Sequence, residues 1–425
     1  MRVRGARRED TGQGRSPVLS GPRGGPVDEP PGDLRMARLL WPILLASAVS
    51  LLPFTVFSTF LVPISEDADS GVAAMGGLRG LGGLASLAVG VACAPLIDRV
   101  RTDLVTAAGL ALLGVSAVLG AAGHFLALAV FCFLVGAATS VLGPALATAA
   151  ANRFDSAAAS GRAATLVTAT QSLAAMLAAP LVVAPGLLWG WQGNLLAVAA
   201  IALVLAALFL VRGRRAVVAG PSTSDARIGY LASFAALARI PGAVPLLLIA
   251  LLRTAAFMGY LSYLAAFYDE RFALEPGPFA FVWTLSGASF FVGNLITGRL
   301  TNRASARIGT ERVLQAGLVT AALAMGGFYL TESLPVALLL TAALGGAHAV
   351  VAACLIGLLV RRCPDLRGAA LGLNAAGMSL GVFAGAALGG AGLAVAGYPG
   401  IGVVLGGITL LALILGVLVR RSPAA

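Results

Sequence analysis

The stretch Ala94-Pro95-Leu96-Ile97-Asp98-Arg99 indicates an internal repeat because it has a weaker copy at Gly298-Arg299-Leu300-Thr301-Asn302-Arg303. Each copy follows a long apolar segment, and Asp98 and Asn302 lie 204 positions apart. The pairing predicts that the chain contains one structural unit twice.

Two further landmarks recur at nearly the same spacing. Arg162 and Arg367 each precede or follow a Gly in a stretch of small residues, and they are 205 positions apart. Trp191 and Tyr398 each follow a Gly and are 207 positions apart. Three matches at a near-constant offset predict two halves of the same architecture.

The chain between these landmarks consists of apolar segments long enough to cross a bilayer. A hydrocarbon core of about 30 Å needs about 20 apolar residues in a helix. Twelve segments meet this length and predict an all-α, polytopic membrane protein made of two pseudo-symmetric six-helix halves. The predicted spans are 39–63, 71–96, 104–122, 125–150, 163–187, 193–211, 244–268, 277–300, 309–330, 334–360, 367–392 and 399–419.

The composition supports a bilayer location for these segments. Hydrophobic residues make up 59% of the chain, charged residues 11%, and there are 54 Gly. A soluble domain is about half apolar and a quarter charged. Abundant small residues allow membrane helices to pack closely, whereas a β-barrel would show short segments of alternating polarity.

The distribution of Arg predicts the orientation. With the N-terminus in the cytoplasm, 26 of the 29 basic residues, all of them Arg, fall on the cytoplasmic side. This bias follows the positive-inside rule and predicts a multi-pass protein of the cytoplasmic (plasma) membrane with both termini in the cytoplasm. Because the Arg are spread over short connections, the net charge of +11 does not indicate a nucleic-acid surface.

Polar segments divide the chain into four regions. The composition of residues 1–38 predicts a disordered, basic cytoplasmic tail. Alternatively, translation starts at Met36, directly before the first span. Residues 39–211 form the predicted N-terminal half and 244–421 the C-terminal half, with a cytoplasmic linker at 212–243.

With these features the chain resembles the major facilitator superfamily over residues 39–421. The resemblance rests on the six-plus-six spans and on the loop at 94–99, which matches a G-x-L-x-D-R pattern except at Ala94. Within the superfamily it looks most like the drug:proton antiporter and arabinose-efflux-type branch, through the stretches 293–300 and 367–374.

The chain departs from the family pattern in two spans. Cys132 stands where span 4 of the family often carries an Arg, four residues before Gly136. The antiporter signature G-x-x-x-G-P of span 5 is present only as Ala175-Met176-Leu177-Ala178-Ala179-Pro180. These departures weaken the case for proton antiport more than the case for the fold.

The resemblance implies a conformational latch at the cytoplasmic loops. Asp98 and Arg99 in the first half, with Asn302 and Arg303 in the second, would hold helices together and release them as the halves move. The alternative is that these residues only cap helices and set topology.

Two polar side chains near the middle of the membrane are the leading site candidates. Arg253 in span 7 and His348 in span 10 lie in spans that line the central cavity in the resembled family. A cation at this depth is functional by default, although Arg253 could snorkel to the headgroups and His348 could hydrogen-bond a neighbouring helix. A cavity with this charge predicts an anionic or zwitterionic solute.

Further polar and helix-bending residues complete the prediction. Arg79 in span 2 is expected near the outer surface, as an anchor or as a partner of Glu66, Asp67 or Asp69. Other candidates for contact with solute are Gln171, Tyr260, Tyr263, Asn294 and Asn374. The candidates for helix bends in alternating access are Pro53, Pro144 and Pro180.

These features predict a secondary active transporter that exports a small organic solute, coupled to protons, as a monomer. A uniporter or uptake carrier of the same fold is the alternative, because no Asp or Glu lies in the middle of a span. If transport is coupled to protons, the candidate proton carriers are His348, the outer acids Glu66, Asp67 and Asp69, and Asp98. An enzyme is not indicated, because the sequence shows no paired carboxylates within the spans, no metal-ligand cluster and no nucleophile motif. Neither a metal nor another cofactor is expected, because the 4 Cys and 2 His lack ligand spacing. Without Lys the chain has no ATP-binding P-loop.

Overall fold

The computed structural model describes residues 33–97, 100–154, 156–215, 235–302, 309–364 and 366–421. This part of the chain is helical, with no strand among the described residues. Its helices are α1 Asp33–Val49, α2 Leu52–Thr59, α3 Leu61–Asp67, α4 Val72–Ile97, α5 Thr102–Gly120, α6 Phe125–Ala151, α7 Ala157–Arg215, α8 Ala243–Phe272, α9 Pro276–Asn302, α10 Thr310–Phe328, α11 Leu334–Arg362 and α12 Arg367–Arg421.

These helices confirm the predicted all-α fold with twelve spans. Helices α1–α3 together form the first span, and α7 and α12 each contain two spans separated by a break. The remaining helices contain one span each. Among the described residues, nine helices are long and apolar enough to cross a membrane; α10, with Glu311, Arg312 and Gln315 near its start, is the more polar exception.

The first span is broken where its sequence contains Pro53. Helix α1 ends at Val49, and α2 begins with Pro53 in its first turn. Proline has no N–H to donate to the carbonyl four residues earlier, and its ring clashes with that carbonyl, which here belongs to Val49. A second break at Phe60, with φ −103° and ψ 28°, separates α2 from α3.

The bundle has two ends, which we name after the predicted orientation. The outer end holds the connections at 68–71, 121–124, 273–275 and 329–333 together with the breaks in α7 and α12; at the inner end are the opposite ends of these helices. At the inner end, α1 already begins at Asp33, within the region predicted to be tail, and α7 extends to Arg215, within the predicted linker.

The two halves repeat the same helix contacts. Helix α4 packs on α6 as α9 packs on α11, and α5 packs on α7 as α10 packs on α12. In the first half Gly136 lies against the backbone of Gly82, and in the second Gly345 lies against the backbone of Ser286. Counted from the starts of their helices, these contacts occupy equivalent positions.

Two helix pairs make the most extensive contacts between the described halves. The first part of α12 packs on α4, where Gly83 contacts Phe383, and the first part of α7 packs on α9, where Gly287 contacts Met176. Gly83 and Gly287 are each the twelfth residue of their helices, so these two contacts between the described halves lie close to the middle of α4 and α9.

The breaks in α7 and α12 explain the repeated Gly before Trp191 and Tyr398. Gly190 has φ 69° and ψ 177°, and Gly397 has φ 62° and ψ −157°. This region of backbone space is essentially restricted to Gly, because a Cβ would clash there. The two Gly therefore allow each long helix to turn at the outer end of the bundle.

Replacing either Gly is expected to destabilise the fold. Gly190→Ala and Gly397→Ala should each lower the free energy of unfolding by about 1–3 kcal/mol, the cost of a strained backbone conformation. A fall in melting temperature of the purified protein in detergent would measure this. Gly406→Ala is the control, because Gly406 is helical and a Cβ added there would meet no atom within 4 Å. An equal melting temperature for Gly397→Ala and the control would contradict the strain argument.

Candidate substrate-binding site

Arg253 and His348 lie together between α8 and α11. The side chain of Arg253 is 4% exposed and that of His348 is 1% exposed. Nη1 of Arg253 donates to the backbone oxygen of His348 at 3.4 Å, and Nη2 donates to Oγ1 of Thr254 at 3.0 Å. The Thr254 hydroxyl in turn donates to the Ala250 carbonyl at 2.8 Å, which anchors the guanidinium to its own helix.

Aromatic rings surround the imidazole of His348. The ring of Phe257 stacks on it with centroids 4.7 Å apart, and Phe257 also stacks on Phe290 of α9 at 5.7 Å. Both ring nitrogens of His348 are buried without a hydrogen-bond partner in the described part of the chain. Burying a polar group without a hydrogen-bond partner costs free energy, so the imidazole of His348 is a candidate for binding a solute or a proton.

The charge of Arg253 is balanced by no carboxylate among the described residues. Its two hydrogen bonds go to a carbonyl and a hydroxyl, both neutral, and none of the described ion pairs includes it. Arg253 is ten residues after the start of α8, which corresponds to about 15 Å along the helix. A cation that is this deep and lacks an acidic partner favours the binding of an anionic group.

The structure gives Tyr260 a place inside the C-terminal half. Its hydroxyl donates to Oγ1 of Thr341 at 3.1 Å, and the hydroxyl of Tyr268 lies 2.9 Å from the same oxygen. Tyr260 is fully buried, and its ring packs edge-on against Phe328. In this conformation Tyr260 holds α8 to α11 and has no surface open to a solute.

Tyr263 joins the two halves near the outer end. Its hydroxyl donates to the carbonyl of Ala386 in α12 at 2.7 Å and lies 3.3 Å from the carbonyl of Ala73 in α4. Gly76 and Gly390 leave room for the ring, because a side chain at either position would overlap it. Tyr263 therefore closes the outer part of the interface between the halves.

Arg79 lies deeper than the sequence indicated. It is seven residues into α4, or about 10 Å below the outer start of that helix. Its Nη1 donates to the hydroxyl of Ser58 in α2 at 2.7 Å, and the guanidinium lies 5.8 Å from the ring centroid of Phe54. The expectation of a surface anchor paired with an acid was therefore wrong, because the helix continues well above Arg79.

The acid expected near Arg79 has other partners. Oδ2 of Asp67 accepts hydrogen bonds from Nε1 of Trp191 at 2.8 Å and from Nε2 of Gln192 at 2.9 Å. Trp191 directly follows the break in α7. Asp67 thus ties the end of the first span to the turn between spans 5 and 6.

The remaining predicted residues are dispersed. Asn374 is buried on α12 and Nδ2 lies 3.4 Å from the sulfur of Met378, whereas Gln171 on α7 and Asn294 on α9 are partly buried. Pro144 lies inside α6 and Pro180 inside α7. The predicted latch lies outside the described residues at Asp98, Arg99 and Arg303, and only the backbone of Asn302 is described.

The described residues contain no group of three or more His, Cys, Asp or Glu that would hold a metal ion. Thr341 is a structural residue that sequence reasoning missed, whereas Arg79 was noticed but placed at the wrong depth. Arg79 was detectable as a charge within a span, but its position in the sequence alone does not give its depth. Thr341 carries no sequence signal, because an isolated Thr in an apolar helix is common.

Comparison with known proteins identifies the fold. A family model described as the Major Facilitator Superfamily matches residues 43–307 and 288–425. The two matched ranges together extend across nearly all of the predicted membrane region. No curated protein matches the chain in sequence.

Solved transporter structures are similar in fold. A bacterial homolog of the human lysosomal transporter Spinster, in an inward-facing and occupied conformation, has a TM-score of 0.72 at 15% identity, covering 91% of this chain and 97% of that chain. The human organic anion transporter MFSD10 gives 0.60 at 19% identity, covering 90% and 99%. The nucleoside transporter NupG gives 0.68 at 14% identity, covering 89% and 99%.

Proposed function

We propose, since this chain belongs to the major facilitator superfamily, that it exports a small organic solute across the plasma membrane by alternating access, in exchange for protons. We place it in the drug:proton antiporter and arabinose-efflux-like branch, as a monomer with both termini in the cytoplasm. The solute is an organic anion or a zwitterion.

The proposed solute class rests on the burial of Arg253 without an acidic partner among the described residues. Its guanidinium bonds only to neutral oxygen atoms in the described part of the chain, and it lies deep within the bundle. A carboxylate on the solute would supply the missing negative charge and accept two parallel hydrogen bonds from the guanidinium. The aromatic rings of Phe257, stacked on His348, and of Phe290, stacked on Phe257, suit a solute with an apolar body.

His348 is the proposed proton carrier. Its imidazole lies beside Arg253, and the described neighbours contribute no carboxylate that would take over this role. Histidine changes charge near neutral pH, which suits exchange with protons. Movement of α8 relative to α11 would open the buried ring to water during the transport cycle.

Uniport is the second candidate, and the lack of a described acid near Arg253 favours it. A membrane potential that is negative inside drives anions outward without any proton. An anion uniporter would therefore also export, with the potential as its only source of energy.

Inverted membrane vesicles that contain the protein distinguish these functions. The probes are p-aminohippurate as an anion, phenylalanine as a zwitterion and ethidium as a cation, in vesicles energised to be acidic and positive inside. We expect p-aminohippurate or phenylalanine to accumulate several-fold above the level in vesicles without the protein. Valinomycin with equal potassium on both sides sets the potential to zero but keeps the pH gradient, which should still drive accumulation in exchange for protons. Nigericin added under this condition should abolish the accumulation.

Each outcome selects one function. Accumulation that is lost when valinomycin and potassium set the potential to zero, although the pH gradient remains, would show uniport driven by the potential. Accumulation of ethidium alone would contradict the anionic solute class. Loss of preloaded solute on acidification of the interior would contradict export and indicate uptake.

A further inference from the structure

Arg79 is a second intramembrane cation, and the proposed mechanism does not use it. It bonds to Ser58 of α2 and lies over Phe54, and its helix α4 packs on α6. The side chain is only partly buried, in contrast to Arg253. One of the five N–H donors of the guanidinium is used in this hydrogen bond, so the others remain to be accounted for.

The helix places Arg79 where the two halves meet. On α4, Gly83 packs against Phe383 of the C-terminal half, and Gly82 packs against Phe54 and the carbonyl of Cys132 in α6. Residues three and four positions apart share a face of a helix. Arg79 therefore lies on the side of α4 that borders both α6 and the opposite half.

No carboxylate balances this charge among the described residues. The described ion pairs do not include Arg79, and Asp67 is engaged by Trp191. The partners of its guanidinium are a hydroxyl and an aromatic face, both neutral. A cation within the membrane that keeps its charge in such surroundings attracts an anion.

The repeat shows that the fold does not need a cation at this position. Helices α4 and α9 start 204 residues apart, so Trp283 is the counterpart of Arg79 in the C-terminal half. Trp283 packs edge-on against Phe279 with centroids 6.1 Å apart. The same architecture is thus stable with an aromatic ring where the N-terminal half carries a guanidinium.

We propose that Arg79 forms a second anion-binding position, in the N-terminal half, which receives the carboxylate or sulfonate group of an organic anion. This position deepens the proposed function and rests on it for the identity of the anion as the transported solute. Ser58 orients the guanidinium, and the face of Phe54 contacts the apolar part of the ligand. The occupant is an organic anion that enters from the central space between the halves.

A thiol at Ser58 tests this site without knowledge of the solute. The Ser58→Cys variant is made in a background in which Cys93, Cys132, Cys354 and Cys363 are replaced by Ala. It is then reacted with methanethiosulfonates that carry either an ethylsulfonate or an ethyltrimethylammonium group. Each reagent forms a mixed disulfide with the thiolate and releases methanesulfinate. The ratio of the two rates cancels the reactivity of the thiol and reports the local preference for an anion.

We expect the ratio of the anionic to the cationic reaction rate at this thiol to be at least ten times the same ratio measured for 2-mercaptoethanol in solution. Arg79→Gln should reduce this preference at least tenfold, and Arg79→Lys should retain most of it. The lysine variant keeps the test valid if the glutamine variant fails to fold. A thiol that reacts with neither reagent, or a ratio that Arg79→Gln does not change, would overturn the proposal.

Labelling does not depend on transport, so the two proposals fail separately. The protein could retain the preference for the anionic reagent and yet transport none of the probes in vesicles. That result would support the anion-binding site and contradict its role in export. Transport of p-aminohippurate without any preference at Ser58→Cys would leave the export function and remove the second site.

Discussion

Arg253→Met is expected to lower the rate of anion transport about 30-fold or more while leaving the protein folded. Loss of one partner of a buried charged pair costs about 2–5 kcal/mol, and each 1.4 kcal/mol is a factor of ten. Met has a similar length and no charge, so the change removes the cation and disturbs the packing little. Initial rates of p-aminohippurate accumulation in inverted vesicles measure the effect.

Thermal stability separates a role in binding from a role in structure. In the unliganded protein Arg253 bonds only to neutral groups in the described residues, so its burial is not compensated by an ion pair. We therefore expect the melting temperature of Arg253→Met to equal or exceed that of the wild type. Arg253→Lys keeps the charge but loses the planar guanidinium group. Its rate of transport should therefore fall between those of the wild type and Arg253→Met.

Arg271→Met is the matched control for the charge. Arg271 pairs with Glu332 at 3.6 Å at the outer end, where Glu332 is largely exposed. Exposed pairs contribute about 0–1 kcal/mol, so transport should not change. Wild-type transport by a folded Arg253→Met protein would show that this Arg has no part in binding or coupling.

Gly136→Ala is expected to cause the largest loss of stability among single methyl additions in α6. The new Cβ would overlap the backbone of Gly82 in α4, and a backbone cannot rotate away as a side chain can. Overpacking a close contact costs about 1–3 kcal/mol, and a backbone neighbour places this change at the upper end. The melting temperature and the yield of monodisperse protein in detergent would both fall.

Gly143→Ala provides the control on the same helix. A Cβ added at Gly143 would have no atom within 4 Å. Replacement of a helical Gly by Ala in open space stabilises by about 0.4–1 kcal/mol, because the unfolded chain loses freedom. If both variants melt at the same temperature, the contact between α4 and α6 is looser than the structure shows.

The sequence predicted the helices well because length and polarity determine them in a membrane. Helix α4 was predicted at 71–96 and extends over Val72–Ile97, and α11 was predicted at 334–360 and extends over Leu334–Arg362. In lipid every backbone polar group must be satisfied within the chain, so an apolar segment of this length has no alternative to a helix.

The sequence also predicted the repeat, but it did not show the physical reason why Gly190 and Gly397 recur in the two halves. Gly190 and Gly397 were landmarks of the duplication, and the structure shows that both adopt a positive φ at the outer turns. The break of the first span at Pro53 also has a cause in backbone chemistry, because Pro53 has no N–H to donate to the carbonyl of Val49. Backbone chemistry explains these positions once the neighbouring helices are known.

The polar residues were predicted less completely because a side chain acts through its neighbours. Sequence reasoning selected both Tyr260 and Tyr263 as candidates for solute contact. The structure gives them different surroundings, with Tyr260 bonded to Thr341 inside one half and Tyr263 bonded both to Ala386 in its own half and to Ala73 in the other half. Three residues of separation on one helix place two identical side chains against different partners.

By itself the sequence determined that this protein has twelve membrane-spanning helices in two equivalent halves, because apolar length and a repeated spacing are properties of the chain alone. The tertiary structure was needed to show that Arg253 adjoins His348, which is 95 residues away in the sequence. It also showed that Arg79 lies beside Phe54 rather than at the surface. Distance along a chain does not specify distance in space. The packing of small residues such as Gly82 and Gly136 sets which helices touch, and these contacts determine which charges are left without a described acidic partner.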